Sequence, residues 1–330
     1  MSDASPGVST PPPSLRLPDG RPVRTIAVLA GGPSCEREVS LVSGRAVAEA
    51  LASKGFSVFT LDPPDDLAAA LAARGADLVF IALHGTFGED GTVQRLLDAA
   101  GIPYTGPGAE ASERTFDKAV TQKLLRAAGI PVPEFTIARR GGPVPDLAAP
   151  PFVVKPACSG SSVGITIVRD PREIPEALRL AFEHSDEVLI ERYVEGRELT
   201  VGVLGGRALP VVEIIPGRKF YDYQAKYGDA GTRYEAPARL DEALAARVRD
   251  VALSTCRALG CGLLARVDLI LDPGGSPYVL EANTVPGLTG RSLLPKAAAA
   301  AGIDFPGLCV KIMELSLQAS KRGSSHGQAD

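Results

Sequence analysis

The sequence predicts a chain that is α/β at its start and α+β over the rest, an α/β lobe followed by two α+β lobes. Three observations carry this reading. Short β-branched and aliphatic runs alternate with helical stretches from Thr25 to about Leu83, as in a parallel sheet. Later strands come in closely spaced pairs, as antiparallel neighbours do. Finally, 35 glycines and 28 prolines among 330 residues leave no room for a bundle of long helices. A chain of this length exceeds what one core usually organises, so two or three domains are expected.

The first 24 residues hold Pro6, Pro11, Pro12, Pro13, Pro18 and Pro22 among Ser, Asp and Gly, and are expected to form a disordered tail (1–24) without an apolar export core. Thr25-Ile-Ala-Val-Leu-Ala-Gly-Gly32 then reads as a buried parallel strand running into a tight turn. A helix from Glu36 to Ser53 follows. It repeats apolar residues at Val39, Val42, Val47 and Leu51, carries Glu36 and Glu38 in its first turn, and is stopped by Gly55. Phe56–Leu61 is a second strand, Leu67–Ala73 a short helix and Asp77–Leu83 a third strand, which completes a parallel α/β lobe over 25–106.

Beyond Pro103 and Pro107 the pattern predicts one helix from about Glu113 to Ala128, then a strand at Phe152-Val-Val-Lys155, a glycine-serine loop, and a strand at Glu187–Glu191. This central lobe spans 107–190. The third lobe, 191–319, holds Leu199–Leu204 and Leu209–Ile215 as an antiparallel pair turning at Gly205-Gly206, then Leu263–Leu271 and Tyr278–Glu281 around the turn Asp272-Pro-Gly-Gly275. Residues 320–330 are polar and form a second expected tail.

A formal net charge of −4 gives no large basic field, so nucleic acid is not an expected partner. No apolar stretch approaches the length of a membrane span, so no membrane is expected either. The odd, scattered set Cys35, Cys158, Cys256, Cys261 and Cys309 reads as reduced thiols of the cytoplasm. With only His84, His184 and His326 beside them, no zinc ligand set is complete.

Two segments carry chemistry. In Lys155-Pro-Ala-Cys-Ser-Gly-Ser-Ser-Val-Gly164 a cation at a strand end precedes glycines and hydroxyls that can approach anionic oxygens. The lysine comes before the glycines, so this is no Walker loop, and by itself the segment reads equally as a surface loop or a nucleotide cover. Farther on, Arg266-Val-Asp268 and Glu281-Ala-Asn283 set Asp, Glu and Asn oxygens on two related strands, a hard-cation set suited to Mg²⁺ held together with phosphates. A structural Arg266–Asp268 ion pair is the plainer alternative, but it leaves Glu281 and Asn283 unexplained.

Five ordered motifs together resemble the D-alanine–D-alanine ligase family of the ATP-grasp superfamily, over nearly all of residues 25–319. They are Gly31-Gly-Pro-Ser-Cys-Glu-Arg-Glu-Val-Ser40, His84-Gly-Thr-Phe-Gly-Glu-Asp-Gly91, the Lys155–Gly164 loop, Tyr221-Asp-Tyr-Gln-Ala-Lys-Tyr227, and Arg266-Val-Asp268 with Glu281-Ala-Asn-Thr-Val-Pro-Gly-Leu-Thr289. The resemblance implies a three-lobed ATP-grasp fold with an N-terminal preATP-grasp lobe. It implies ATP-driven condensation of two D-alanines for the peptidoglycan precursor, two Mg²⁺ (or Mn²⁺) ions, a cytoplasmic location and a homodimer.

It also implies roles. Lys118, Lys155 and Ser162 would meet ATP phosphates, Glu191, Arg192 and Val194 would flank adenine, and Glu198 would accept from a ribose hydroxyl. Asp268, Glu281 and Asn283 would hold the metal ions. Glu36 would receive the first D-alanine's ammonium, with Ser161 and Tyr227 tying two loops to it, and His84 would lie near the first carboxylate. Arg266 and the Gly287 N–H would stabilise a tetrahedral oxyanion, and Lys226 and Ser292 would hold the second carboxylate. Simpler readings exist for several: Lys118 as a solvated helix lysine, the 191–198 charges as a strand edge, Glu36 as a helix N-terminal charge worth about 0.3–1 kcal/mol, Tyr227 as a core aromatic. Gln224, Arg95 and Gly290-Arg291 depart from the family pattern, and Arg291 lies beside the implied second-substrate subsite. Tyr227 agrees with the dipeptide-forming branch rather than the branch that makes an ester with D-lactate.

Overall fold

The structure, a computed structural model, describes residues 14–145, 149–160, 163–217 and 231–326. Its first sheet follows from apolar content. Strands β1 (Thr25–Leu29) and β3 (Leu78–Ile81) are apolar nearly throughout and almost wholly buried, whereas β2 (Ser57–Leu61) is the more exposed of the two outer strands. All three are parallel in the order β2-β1-β3, with α1 (Arg37–Ser53) and α2 (Leu67–Ala73) in the crossovers. The chain leaves β1 toward one side and returns to the other, so the carboxyl ends of β1 and β3 open a crevice at a topological switch point. The turns Gly31-Gly32 and His84-Gly85 lie at that crevice, and α3 (Thr92–Ala99) follows.

The predicted helix from Glu113 to Ala128 is two helices, α4 (Ala109–Phe116) and α5 (Lys118–Ala127). Asp117 breaks it: its ψ is 103°, and its carboxylate accepts from the N–H groups of Ala119 and Val120 at 2.8 and 3.0 Å. A cap satisfies donors that a continuous helix would not leave open, so the new start is stable.

A four-stranded antiparallel sheet follows, β4 (Phe135–Arg139), β7 (Glu187–Arg192), β5 (Phe152–Pro156) and β6 (Thr166–Val168) in that spatial order. Helix α6 (Ile174–Phe182) covers it, closing a core of Ala138, Phe152, Val154, Leu178, Val188 and Ile190. The expected lobe boundary at 190/191 falls inside β7.

The last sheet runs β11 (Arg233–Glu235), β10 (Val212–Ile215), β8 (Arg197–Leu204), β12 (Leu264–Leu271), β13 (Pro277–Asn283), with β9 (Arg207–Ala208) also on β8. Gly205 and Gly206, both at positive φ, make the two-residue turn between β8 and β9. Alternation sorts the two faces of this sheet. Leu199, Val201, Val203, Val267 and Leu269 pack with α7 (Glu242–Leu259), while Thr200, Arg266 and Asp268 project to the opposite face. On that opposite face α8 (Leu293–Ala300) and α9 (Phe305–His326) share one apolar cluster with the first sheet, joining Leu204, Leu294 and Met313 to Val28 and Phe80. The first and last lobes are therefore cored together.

Ordered structure reaches into the ranges of both expected tails. Leu15, Leu17 and Val23 are buried in that shared cluster, and residues 14–24 are packed there by a turn at Pro18 that sets Arg16 antiparallel to Pro22. At the other end α9 continues through His326, past the expected end at 319. Among the described residues, no single helix is long and apolar enough to cross a membrane.

Candidate active site

Two glycines build the first part of the site. Gly31 and Gly32 take φ of 100° and 78°, which turns the chain sharply after β1. The turn is fixed from three sides: Gly31 N–H donates to Ser40 Oγ (2.9 Å), Ser40 donates to the Ala82 carbonyl (2.7 Å), and Gly32 N–H donates to Asp62 Oδ1 (2.8 Å). Arg37 clamps Asp62 at 2.6 Å. Glu36 is thereby held just before α1 and buried.

His84 is held at both ring nitrogens, Nε2 to Ser43 Oγ at 3.0 Å and Nδ1 to Glu89 Oε1 at 3.5 Å. Burial pushes the Glu89 carboxyl above its ordinary range, and the charge of Glu36 adds to this against the opposing contact with His84. Ser43 and Glu89 were not among the residues expected at the site. Glu89 stood within the quoted His84–Gly91 motif, and its five-residue offset from His84 was the available signal.

A cleft of about 360 Å³ lies between the two antiparallel sheets. Lys118, Lys155, Glu191, Arg192, Val194, Glu198, Asp268 and Glu281 all line it, and Val153, Ile165, Ile270 and Leu280 supply apolar wall. Lys155 Nζ pairs with Glu191 Oε2 at 2.8 Å, both buried. Burial pushes the Glu191 carboxyl up, with Lys155 pulling the other way, and Glu191 Oε1 has no hydrogen-bond partner among the described residues. Lys118 is buried rather than solvated; its Nζ lies 3.5 Å from Glu281 Oε2 and donates to the Ser159 carbonyl at 2.5 Å. Arg192 is exposed, 5.8 Å above the Tyr278 ring.

Register sets the acidic end. Asp268 stands opposite Glu281, and Arg266 opposite Asn283, so all four share one face of the β12–β13 pair. A bulge follows Asp268, leaving Leu280 unpaired in the ladder with its carbonyl accepting from Gln122 (2.9 Å) and Lys155 (3.5 Å). Arg266 grips Asp268 with both arms, Nε to Oδ1 at 2.9 Å and Nη2 to Oδ2 at 2.6 Å. The structural ion pair that the sequence allowed is thus present, on the same residues as the oxygen donor set. Two carboxylates and one amide oxygen suit a hard cation shared with phosphates, although no group of three or more His, Cys, Asp or Glu is found among the described residues.

Gly287 and Ser292 meet after β13: a methyl built on Gly287 would lie 2.9 Å from Ser292 Oγ. Ser292 immediately precedes α8, its hydroxyl 2.9 Å from Thr289 Oγ1, and Arg291 is exposed beside it. Ser161, Ser162, Gln224, Lys226 and Tyr227 lie outside the described residues.

The glycine-serine loop joins the two halves. A methyl built on Gly160 would fall 1.8 Å from Glu36 Oε2, and one on Gly85 2.9 Å from the same oxygen. Gly160 also lines the cleft, so the Glu36 carboxylate adjoins its end.

The models described as D-ala D-ala ligase N-terminus and C-terminus match residues 62–107 and 124–314. The D-alanine–D-alanine ligase of Gloeobacter violaceus is 48% identical over 299 residues, covering 88% of this chain and 99% of that one. Among solved structures, the Bacillus anthracis D-alanine–D-alanine ligase complexed with ATP superposes at a TM-score of 0.80 with 34% identity, covering 91% of this chain and 99% of that one. The VanG D-Ala:D-Ser ligase of Enterococcus faecalis does so at 0.76 with 31% identity, covering 89% and 99%. Matches at this identity run through both the crevice-forming first lobe and the cleft, and the chain belongs to the D-alanine–D-alanine ligase family.

Proposed function

We propose that the chain condenses two D-alanines to D-alanyl-D-alanine with cleavage of ATP to ADP and phosphate, for the cell-wall precursor. The observation that carries this is the seating of Gly160 on Glu36, which joins an ammonium-binding carboxylate to the end of a nucleotide-sized cleft. A carboxylate is a poor acyl donor, so the first D-alanine's carboxylate takes the γ-phosphoryl group of ATP and ADP leaves. The second D-alanine's amine then attacks the acylphosphate carbon, and the tetrahedral adduct collapses by expelling phosphate.

Each residue has a physical task in this scheme. Glu36 fixes the first ammonium as a charge-assisted pair, and His84, anchored by Ser43 and Glu89, lies near the first carboxylate. The apolar wall of Val153, Ile165, Ile270 and Leu280 sandwiches adenine between Glu191–Val194 and the last sheet, and Glu198 takes a ribose hydroxyl. Lys118 and Lys155 neutralise phosphate oxygens, and the Ser162 hydroxyl would donate to them. Asp268, Glu281 and Asn283 would hold Mg²⁺ or Mn²⁺, two ions in all, whose chemistry is to neutralise charge on the transferred phosphoryl group. Arg266, oriented by its two bonds to Asp268, and the Gly287 N–H stabilise the oxyanion. Ser292 and Lys226 receive the second carboxylate. Ser161 and Tyr227 would tie their loops to Glu36 and so exclude water that would hydrolyse the acylphosphate.

We place the enzyme in the cytoplasm, where its five free thiols would stay reduced, as a homodimer like its family. Phosphate release from ATP, with D-alanine, D-serine or D-lactate as the added acid, tests the assignment. D-alanine is expected to stimulate release most. Exposed Arg291 beside Ser292 favours one second reading, a related ligase with a different second substrate, and greater turnover with D-serine or D-lactate as the second acid would establish it.

A further inference from the structure

Thr200 stands directly opposite Asp268 across β8 and β12, and it is 1% exposed. Its neighbours Leu199, Val201 and Val203 pack into the apolar core, so the polar side chain belongs to the cleft face of the strand. The hydroxyl donates to Asp268 Oδ1 at 2.6 Å; the Val267 carbonyl, at 3.3 Å, is the longer of its two contacts.

A carboxylate offers about four lone-pair positions, two on each oxygen. On Asp268, Oδ1 receives Thr200 Oγ1 and Arg266 Nε, and Oδ2 receives Arg266 Nη2. Oδ1 is therefore saturated and Oδ2 has one position left. We infer that Thr200 is a positioning residue that restricts Asp268 to a single coordinating oxygen, Oδ2, and so favours a small octahedral cation over a larger one. The inference rests on the proposed role of Asp268 as a metal ligand.

The selectivity follows from size and ligand number. Mg²⁺ demands near-octahedral geometry with one bond per carboxylate, whereas Ca²⁺ takes six to eight oxygens and accepts both oxygens of one carboxylate. A cation gripping both oxygens of Asp268 would have to displace Thr200 or Arg266 Nε. One bound through Oδ2 alone displaces neither. Removing the hydroxyl opens Oδ1 while leaving both Arg266 bonds in place.

The test is calorimetric binding of ADP to the full chain without divalent ions, with Mg²⁺, and with Ca²⁺, for the parent, Thr200→Val, Thr200→Ala and Thr200→Ser. The parent should bind ADP more tightly with Mg²⁺ than with Ca²⁺. Both variants lacking the hydroxyl should lower that Mg²⁺-to-Ca²⁺ preference by about tenfold, the scale of one hydrogen bond to a charged group. Serine should restore it, and affinity for metal-free ADP should be the same in all four. An unchanged preference in a folded valine or alanine variant overturns the role of Thr200, as does a serine variant that fails to restore it. A parent whose ADP affinity does not respond to Mg²⁺ instead overturns the metal assignment beneath it, so the two failures are distinguishable.

Discussion

Gly160 presses its α-carbon face against the Glu36 carboxylate, leaving no room for a side chain: a methyl there would come within 1.8 Å of Oε2. Glu36 is buried before α1, its N–H donates to Ser34 Oγ at 3.1 Å, and Gly85 crowds the same Oε2 from another side, so its carboxylate has little room to retreat. Gly160→Ala should therefore misplace the ammonium acceptor and lower kcat/KM for D-alanine on the order of 10²-fold, the usual cost of an ångström-scale displacement. ADP affinity should change far less. Steady-state kinetics in D-alanine beside ADP calorimetry would decide it, and an unaltered kcat/KM would mean that the loop does not seat on Glu36 during turnover.

Asp117 connects a helix cap to the nucleotide site. It caps α5, whose first residue is Lys118, and a lysine at a helix N-terminus is opposed by the helix dipole. The cap, the Ser159 carbonyl and Glu281 together hold it there. Asp117→Ala should cost about 1 kcal/mol in denaturant unfolding and weaken ADP binding, while Asp117→Asn, which still accepts from Ala119 and Val120, should retain most of both. Weakened stability with intact ADP affinity would show that Lys118 does not depend on the cap.

How much was legible in the sequence depended on whether a residue announces itself locally. β1 and β3 are continuous apolar runs, and α2 sits between clear breaks, so their limits agree with expectation to within a few residues. β4 went unread because Phe135-Thr-Ile-Ala-Arg139 is a short edge strand paired only with β7. The break at Asp117 went unread because the apolar pattern continues through it and only the cap reveals a new start. The cleft residues were named because they sit in motifs with unusual chemistry. Thr200 carries no local signal, because a threonine inside Leu199-Thr-Val-Gly-Val203 is ordinary in a strand and its partner lies 68 residues away. The buried Leu15, Leu17 and Val23 were hidden by surrounding prolines, although their apolar character was in plain view.

The Arg266–Asp268 pair leads to a prediction that separates stability from catalysis. Both residues are buried, and Asp268 supplies the counter-charge to the guanidinium. Asp268→Asn should lose stability on the order of a few kcal/mol in denaturant unfolding, because the buried Arg266 guanidinium exchanges a carboxylate counter-charge for a neutral amide oxygen. Its Mg²⁺ requirement for ATP-dependent phosphate release should also rise. Replacing both residues with apolar ones, Arg266→Met with Asp268→Leu, should recover much of the stability and none of the activity. If the double variant were as unstable as Asp268→Asn, the loss would come from packing rather than from the missing counter-charge.

Glu89 gives the pH-dependent prediction. Burial holds its carboxyl above the ordinary value of 4.5; Glu36 pushes the same way and His84 opposes. A raised carboxyl means that the native state binds this proton more tightly than the unfolded chain does. Its contribution to stability is complete below 4.5 and is lost as pH rises through the raised value. In Glu89→Gln the amide would not titrate, and its oxygen could still accept from the His84 ring. At low pH the variant should therefore resemble the parent, and the Tm of the variant minus that of the parent should grow as pH rises toward neutrality. Glu191 shifts in the same direction for the same reason, so the variant keeps part of the parent's slope, and Glu89→Gln with Glu191→Gln should flatten it further. Melting curves across this range read the sign directly. A difference that stayed constant or shrank with pH would mean that Glu89 is stabilised as an anion, with His84 outweighing burial.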